Sequence, residues 1–181
     1  MEQKFDINQI RAIIGLGNPG SQYARQRHNI GFRIIDGLAN RLGAAWQHRD
    51  NLEWASVNIS GSMHDVLLIK PQTFMNNSGA ILPWLQKKGI KPEQILVVHD
   101  ELEKTFGTSM IKFGGSHRGH NGLKSIAAVI DLDFWRFRFG IGRPDDKAMV
   151  PNYVLSGFLP AEEQQVPTLV EKIVDLLLKG G

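Results

Sequence analysis

The stretch from Arg11 to Gly31 reads R-A-I-I-G-L-G-N-P-G-S-Q-Y-A-R-Q-R-H-N-I-G. Its first residues, together with Leu16, are typical of a short buried strand. The three glycines and one proline that follow do not fit together into any regular element, so the strand must end in a loop. Open α/β sheets place their ligands beyond the carboxyl ends of their strands. This loop is therefore the predicted floor of an active site, and it carries the polar residues Asn18, Tyr23, Arg27, His28 and Asn29.

The same glycines, Gly15, Gly17 and Gly20, also match the G-x-G-x-x-G pattern of dinucleotide-binding folds. That pattern requires a helix that begins within it and an acidic residue near the end of a second parallel strand, about 20 residues further on. Residues 21–29 lack an apolar stripe at helical spacing, and Asp36, the nearest acidic residue, lies inside the next predicted helix. The sequence therefore disfavours a dinucleotide site.

The composition is that of an ordinary soluble domain. The 181 residues are 42% hydrophobic and 22% charged. This length predicts one domain over residues 1–181, with residues 1–9 as an N-terminal extension. No apolar run approaches the ~20 residues that a membrane span needs, and the N-terminus lacks a cleavable signal, so we expect a cytoplasmic protein with no membrane contact. Because the chain has no cysteine, disulfides, thiolate metal sites and a cysteine nucleophile are excluded.

Positive charge is concentrated in the middle of the chain. The formal net charge is only +3, yet residues 104–147 carry eight Lys and Arg against four Asp. Such a distribution fits a polyanionic partner, while an ordinary solvated surface is the simpler alternative. Charge taken alone favours the simpler alternative.

Strand and helix patterns alternate along the rest of the chain. Residues 54–60 and 65–70 flank the turn Gly61–Ser62 and predict a β-hairpin. Further strands are predicted over residues 94–100, 109–113 and 134–142, and helices over about 32–42, 79–88, 123–130 and 161–178. This order predicts a fold of the α/β class: a single three-layer domain with a mixed twisted sheet flanked by helices.

Three local features accompany these elements. Asn77 or Ser78 is the predicted N-cap of the second helix, and Pro83 lies near its first turn. Asn121 is the predicted N-cap of the third helix. Residues 134–142 alternate aromatic and basic side chains, which predicts a strand with one apolar and one basic face.

Five polar residues form a candidate set for catalysis, namely His28, Asp100, Asn18, Asn76 and Asn121. Each one alone has a structural interpretation: a surface histidine, a turn-forming aspartate, or asparagines that cap helices or shape a loop. The functional hypothesis is stronger for the set, because all five follow strands or begin helices, where they can converge on one cleft.

The chemistry of this set is that of water activation. The histidines and acids lack H-x-x-x-H or comparable metal-ligand spacing, and no G-x-S-x-G motif provides a serine nucleophile. A histidine paired with an aspartate, with no nucleophile between them, is typical of a base that activates water. Carboxamides both donate and accept hydrogen bonds, which suits binding a peptide backbone and polarising a carbonyl. We therefore expect no metal site.

Several longer motifs match a known family. They are G-L-G-N-P-G, R-H-N-I-G, K-P-Q-T-F-M-N-N-S-G, V-V-H-D-E-L, G-H-N-G-L-K-S-I and F-R-F-G-I-G-R-P. In this order, from about Ile10 to Leu159, the chain resembles bacterial-type peptidyl-tRNA hydrolase. The resemblance implies a monomeric esterase without a cofactor, which cleaves the ester between the peptide and the terminal ribose of peptidyl-tRNA and so recycles the tRNA.

The resemblance also assigns roles in hydrolysis. His28 would be the base, oriented by Asp100. Asn18 and Asn76 would line the peptide groove and help to fix the scissile carbonyl. Asn121 would order water and substrate.

Further residues would bind the two parts of the substrate. Tyr23 and Met75 would shape the peptide groove. Lys112 and Arg138 would clamp phosphate of the acceptor stem, as basic side chains can. The remaining implied substrate contacts are Gly119 and His120.

The chain departs from the family pattern at two places. Arg118 stands where the family usually has a small residue, and it would either narrow the entrance of the cleft or add a phosphate contact. The chain stops at residues 179–181, whereas many relatives continue with a basic tail, so part of the tRNA affinity would be missing or the sequence trimmed. An alternative function is a non-catalytic RNA-binding protein with the same fold, against which the presence of all five candidate catalytic residues argues.

Overall fold

A computed structural model describes residues 4–179, and seven strands lie within them. The strands are β1 Ala12–Gly15, β2 Gln47–Arg49, β3 Leu52–Val57, β4 Val66–Pro71, β5 Ile95–Glu101, β6 Ser109–Phe113 and β7 Trp135–Gly140. Six of them were predicted. The sequence did not predict β2, because its three polar residues are all exposed and form no apolar pattern.

The strands form one sheet in the order β2-β3-β4-β1-β5-β7-β6. β1 pairs in parallel with β4 and with β5, and β5 pairs in parallel with β7. β2 and β3 at one edge and β6 at the other add antiparallel pairs, which include the predicted β3–β4 hairpin. The predicted mixed sheet is therefore confirmed, and the carboxyl ends of its four central parallel strands meet at one edge.

Helices cover both faces of this sheet. The α-helices are α1 Ile30–Arg41, α2 Leu82–Lys87, α3 Asn121–Ile130, α4 Val150–Val154, α5 Pro160–Glu163 and α6 Val166–Leu178. Side chains of α1 and α6 share one core with Ile13 of β1, whereas those of α2 and α3 share a second core with Ala12 and Ile14. Since successive residues of a strand point to opposite faces, β1 contributes to both cores. The predicted three layers are confirmed.

Glycines allow α1 to lie very close to the sheet. A Cβ atom on Gly31 would stand 2.5 Å from the backbone N and O of Leu16 and from the O of Val98. A Cβ atom on Gly15 would meet Ile35 at 2.4 Å. These contacts are too short for any other residue type, so both positions require glycine. Because α1 begins at residue 30, beyond the G-x-G-x-x-G pattern, the geometry differs from that of a dinucleotide-binding motif.

The predicted N-cap of α3 was wrong. His120 occupies the cap position, and its ring accepts hydrogen bonds from the backbone N–H groups of Gly122 and Leu123. Asn121 is the first residue of the helix itself. An unprotonated ring nitrogen can accept these bonds as an asparagine oxygen would, and for this reason composition did not distinguish the two residues.

The predicted N-cap of the second helix was also wrong. The chain enters this region as a 3₁₀ helix over Met75–Ile81, and its cap position, Phe74, makes no side-chain hydrogen bond. Neither Asn77 nor Ser78 caps the helix, because both lie inside this 3₁₀ segment. Pro83 lies in the first turn of α2, as predicted.

The predicted last helix is two helices, α5 and α6. Pro167 lies in the first turn of α6, where its missing N–H costs no hydrogen bond. A helix that continued through this proline would lose a hydrogen bond and clash with the preceding turn, so the chain breaks there. Within residues 4–179, none of the helices has the length and apolar character needed to cross a membrane.

The predicted two faces of β7 are present, but the basic face is not an exposed one. Phe137 and Phe139 lie in the core with α1. The Arg136 side chain is buried, and its guanidinium donates to the backbone carbonyls of Gly114 and Ser116. Burial lowers the pKa of Arg136 to about 10. This arginine therefore fixes the glycine-rich loop that precedes α3.

We expect Gly31→Ala to destabilise the fold by about 1–3 kcal/mol, the usual cost of overpacking a core. The reason is that the added methyl group would meet backbone atoms of β5 and of the first loop, which cannot move aside as a side chain would. Gly157→Ala is the matched control, because its Cβ would meet only an ordinary contact at 3.6 Å. Urea unfolding measures both variants, and equal losses of stability would contradict the account.

Candidate active site

The candidate site lies where the carboxyl ends of β1, β4 and β5 meet. His28 lies in a 3₁₀ turn, Arg27–Asn29, that leads directly into α1. Asp100 is the penultimate residue of β5. The close contact between α1 and the sheet brings this turn against the end of β5, so residues 72 positions apart in sequence become neighbours.

His28 and Asp100 form a buried pair, with 8% and 2% of their surfaces exposed. His28 Nδ1 lies 3.0 Å and 2.9 Å from the two carboxylate oxygens of Asp100. An ionised carboxylate only accepts hydrogen bonds, so Nδ1 carries the proton and Nε2 of the neutral ring keeps a free lone pair. Nε2 has no hydrogen-bond partner within residues 4–179, which leaves it available as a base.

The electrostatics of this pair favour a charged imidazolium after proton transfer. Burial by itself lowers the pKa of His28, but the charge and hydrogen bond of Asp100 outweigh burial and raise the pKa above its ordinary value. Burial likewise opposes ionisation of Asp100, yet His28 and His120 hold the pKa of that carboxyl well below its usual range. Asp100 is therefore an anion at neutral pH.

His120 binds the same carboxylate from the other side. Its Nε2 lies 2.9 Å from Asp100 Oδ1. Its Nδ1 accepts the N–H groups of Gly122 and Leu123 at 3.2 Å and 3.4 Å. Because Nδ1 accepts, the proton of the neutral ring is on Nε2, which donates to Asp100. The start of α3 thus fixes the tautomer of His120, and His120 fixes the orientation of Asp100.

One ring nitrogen each of His28 and His120 and one carboxylate oxygen of Asp100 lie within 4.8 Å of one another. This spacing could hold a metal ion. Metal-bound histidines normally donate a proton from their second ring nitrogen. Here the second nitrogen of His120 faces two backbone N–H donors, so it cannot carry that proton. The arrangement suits a hydrogen-bonded network better than a metal centre. The sequence grouped His28 with Asp100 but did not place His120 on the same carboxylate, because the three residues lie in separate elements.

Asn18 does not line the cavity beside His28, but it is bonded to Asn29, the residue after His28. Its backbone N–H donates to Asn29 Oδ1 at 3.0 Å, and Asn29 Nδ2 donates back to the Asn18 carbonyl at 2.8 Å. The Asn18 side-chain oxygen accepts the N–H of Met75 at 2.8 Å. With its oxygen occupied, Asn18 presents its NH₂ group as a donor that has no partner within the described residues. The positioning role of Asn29 was not predicted, since no local pattern marks a reciprocal pair eleven residues apart.

The other two asparagines are exposed, and their side chains make no hydrogen bond within residues 4–179. Asn121 lines the same cavity as His28. Asn76 lies in the 3₁₀ helix after β4, one residue beyond Met75. Their carboxamides are free for a ligand, as predicted groove residues require.

Tyr23 and Met75, which were predicted to shape a peptide groove, do not line the cavity that holds His28. The Tyr23 ring lies edge-on to that of Phe74, with centroids 6.1 Å apart, and Phe74 is 59% exposed. Met75 is buried, and its sulfur lies 2.6 Å from the place where a Cβ on Gly122 would stand. This close approach places Met75 against the start of α3. The sequence predicted Tyr23 and Met75 for this region but not Phe74.

A cavity of about 360 Å³ opens beside His28, Asp100 and His120. One wall is apolar and comes from Val150, Pro151 and Val154 at α4, none of which the sequence identified. The other lining residues include Arg118, Gly119, Asn121, Arg143 and Lys147. Arg118 has a φ of +48°, a left-handed conformation that is uncommon outside glycine.

Neither of the two predicted phosphate-binding residues lines this cavity. Lys112 is exposed on β6, an edge strand. Arg138 is half-buried on β7, and its Nε donates to Glu101 Oε2 at 2.8 Å. In the β6–β7 pair, Met110 lies opposite Arg138. Lys112, two residues further along β6, lies opposite Arg136. Arg138 is therefore joined through Glu101 to the rim of the cavity, whereas Lys112 lies further along the β6 edge.

Comparison with known proteins places these features in a family. The family model described as peptidyl-tRNA hydrolase matches residues 12–179. The chain is 45% identical over 167 residues to peptidyl-tRNA hydrolase of Rhodospirillum centenum, covering 91% of this chain and 73% of that one. It is 42% identical over 176 residues to peptidyl-tRNA hydrolase of Mycobacterium sp. strain KMS, covering 93% and 91%.

A solved structure agrees with these sequence matches. Peptidyl-tRNA hydrolase from Acinetobacter baumannii superimposes with a TM-score of 0.87 at 39% identity, covering 96% of this chain and 90% of that one. The similarity therefore extends over both the sheet and the loops that hold His28, Asp100 and His120. This chain belongs to the peptidyl-tRNA hydrolase family.

Proposed function

We propose that this protein hydrolyses the ester bond that joins a peptide, or an N-blocked amino acid, to tRNA. The observation that carries the proposal is the buried His28–Asp100 pair, whose free Nε2 lies at the cavity. A histidine in this state can take a proton from water at neutral pH. Membership of the peptidyl-tRNA hydrolase family supplies the substrate class.

The first step is attack by water. His28 Nε2 accepts a proton from water while the water oxygen bonds to the ester carbonyl carbon. The Asp100 carboxylate stabilises the imidazolium that results, as the raised pKa of His28 requires. The carbonyl oxygen becomes an oxyanion, to which the free NH₂ group of Asn18 donates a hydrogen bond.

The second step returns the proton. The tetrahedral intermediate collapses, the bond to the ribose oxygen breaks, and the imidazolium protonates that oxygen. The products are a peptide with a free carboxyl group and a tRNA with a free terminal ribose hydroxyl. His28 ends the cycle in its starting state, so one residue serves as base and then as acid.

Substrate binding divides between two surfaces. Tyr23, Met75 and Asn76 would hold the peptide, where exposed carboxamides and aromatic edges suit a peptide backbone and its side chains. Lys112 and Arg138 would hold phosphate of the acceptor stem at the β6–β7 edge. Gly119, His120 and Asn121 join the two surfaces at the start of α3. Arg118 would add a phosphate contact or narrow the cavity.

The proposal includes a cytoplasmic monomer with no cofactor, as the family resemblance implies. A non-catalytic RNA-binding protein is the competing hypothesis. The intact hydrogen bonds of His28, Asp100 and Asn18 argue for hydrolysis, because binding alone does not require a free imidazole lone pair. Incubation with peptidyl-tRNA, comparing the unchanged protein with His28→Ala, separates the two.

We expect His28→Ala to lower kcat by about 10² to 10⁴, the usual contribution of a positioned general base, with little change in substrate binding.

The activity of the unchanged protein should rise with pH through a raised kinetic pKa, since the base must lose its proton to act. Asp100→Asn should move this rise to lower pH and reduce kcat, because the carboxylate that raises the pKa is lost. Matching pH–rate profiles for Asp100→Asn and the unchanged protein would contradict the pairing.

We expect Asn18→Asp to lower kcat by about 10² to 10³, the usual loss when an oxyanion donor is removed. The substitution keeps the oxygen that accepts the Met75 N–H and replaces the NH₂ donor with an anion that repels the oxyanion. Single-turnover hydrolysis of an N-blocked aminoacyl-tRNA measures the effect. Asn40→Asp, an exposed position on α1, is the control for added negative charge. An unchanged rate in Asn18→Asp would remove Asn18 from this role.

We expect Lys112→Ala and Arg138→Ala to raise KM, leave kcat nearly unchanged, and reduce the dependence of log K on log salt by about 0.7 to 0.9 per lost phosphate contact. Lys112→Ala is the cleaner variant, because Arg138→Ala also leaves Glu101 without its partner. Lys91→Ala, an exposed lysine at the opposite end of β5, is the control. If a short nucleoside ester without the stem slowed as much as full tRNA, the division into two surfaces would be wrong.

A further inference from the structure

Arg27, the residue before His28, is buried and makes contacts that hydrolysis does not explain. Its guanidinium stacks on the ring of Tyr153, 4.0 Å from the centroid. Nη1 donates to Ser156 Oγ at 2.6 Å and to the Tyr153 carbonyl at 3.3 Å. The backbone N–H of Arg27 donates to the Ser156 carbonyl at 3.0 Å. All these contacts reach one segment, residues 147–158, which we call the strap.

The strap forms the apolar wall of the cavity beside His28, through Val150, Pro151 and Val154. Its position relative to the sheet is fixed by the Tyr153 hydroxyl, which donates to the Ile141 carbonyl at 2.6 Å. Phe158 at its end packs against Phe139 of β7. The strap is therefore tied to β7 on one side and to Arg27 on the other.

Three successive residues of one turn are each tied to a different element. Arg27 binds the strap, His28 binds Asp100 at the end of β5, and Asn29 binds Asn18 in the first loop. Because these residues follow one another in a single 3₁₀ turn, a change in its backbone dihedrals would redirect all three side chains. Loss of the Arg27 side chain would leave only backbone bonds between the turn and the strap, and a shift of the turn would disturb both of the other anchors.

Stability alone is a poor reason for this arrangement. Arg27 is only 4% exposed, and its nearest acidic partner, Glu162, lies 3.6 Å away. Its Nε is buried and has no hydrogen-bond partner within the described residues. A buried cation with incomplete pairing costs free energy that an apolar side chain of similar size would avoid. The specific directions of its hydrogen bonds point instead to a role in positioning the His28 turn relative to the strap.

We propose that Arg27 is a positioning residue that locks the His28 turn to the strap, so that His28 Nε2 stays directed at the cavity that the strap encloses. The inference rests on the proposed hydrolysis. It adds that the Arg27 side chain sets the register between the wall of the cavity and the base, beyond the backbone bonds that Gln26 and Arg27 make to the strap. Arg27 touches neither substrate nor the reacting atoms in this account.

The test compares Arg27→Met, Arg27→Lys and Ser156→Ala with a matched control, Arg33→Met. Arg33 lies on α1 and pairs with Glu163 of α5 at 2.9 Å, so its loss also breaks an ion pair to the segment after the strap but leaves the His28 turn untouched. Each variant is assayed for kcat, KM and kinetic pKa with an N-blocked aminoacyl-tRNA, and for stability by urea unfolding.

We expect Arg27→Met to lower kcat by about 10²-fold, the scale of a misplaced catalytic group, with a smaller change in KM. Its kinetic pKa should fall, because a turned His28 loses the carboxylate that raises its pKa. Arg27→Lys should keep part of the lost kcat and part of the lost kinetic pKa. Ser156→Ala should lower kcat and the kinetic pKa too, but by less than Arg27→Met does. Nitrogen-15 histidine spectra should show the His28 Nδ1–H signal weakened in the same order.

Arg33→Met should lose stability without a change in kinetic pKa. A purely structural role for Arg27 would give the same result in Arg27→Met, and that outcome would overturn the inference. If Arg27→Met does not fold, an unchanged kinetic pKa in both Arg27→Lys and Ser156→Ala overturns it equally. Absence of hydrolysis in the unchanged protein and in Arg33→Met would instead refute the proposed function.

Discussion

The site depends on a single buried carboxylate that is shared by two imidazoles. Asp100 accepts from His28 on one side and from His120 on the other, and these two histidines come from loops on different sides of the sheet. Burial makes an isolated anion costly, so the carboxylate requires both partners. In return each partner has its proton fixed on one nitrogen. The geometry of the base and the tautomer of its neighbour are thereby set by the same group.

A second constraint places this carboxylate within reach of the base. The turn with His28 can approach β5 only because α1 lies almost in contact with the backbone at the end of β1, which glycine at positions 15 and 31 permits. The glycine-rich loop before α3 is held in a comparable way, by Arg136 from beneath. Rigid elements thus fix both loops, which is what a preorganised site requires. The packing that stabilises the fold therefore also sets the geometry of the site.

The sheet also separates the tasks of the site. The groups proposed to carry out hydrolysis occupy the crevice at the carboxyl ends of β1 and β5, where chain connections leave in opposite directions and open a cleft. The cationic side chains proposed to bind phosphate lie on β6, the edge strand, and on β7 beside it, with Arg138 bonded to Glu101 at the rim of the cleft. The cavity wall comes from a third source, the segment after β7. Each part comes from a different region of the chain, so that binding and chemistry can vary separately.

The sequence by itself determined the element types and the chemical inventory. Apolar runs and helical spacing predicted six of the seven strands and the three layers, because these patterns report directly which side chains are buried. The order of polar residues after strands predicted His28, Asp100 and three asparagines as one set. Helix caps were less predictable, since His120 serves where Asn121 could have served. Local patterns also could not separate α5 from α6 or detect the short polar strand β2.

Only the tertiary structure decided how these parts are held. The reciprocal bonds of Asn18 and Asn29, the shared carboxylate of His28 and His120, and the attachment of Arg27 to the strap join residues that are distant in sequence. No local periodicity encodes such contacts, because they depend on where packing places separate loops. The apolar cavity wall and the burial of Arg136 likewise depend on where packing places segments that are distant in sequence. Short-range interactions specify the elements, and the close packing of those elements specifies the site.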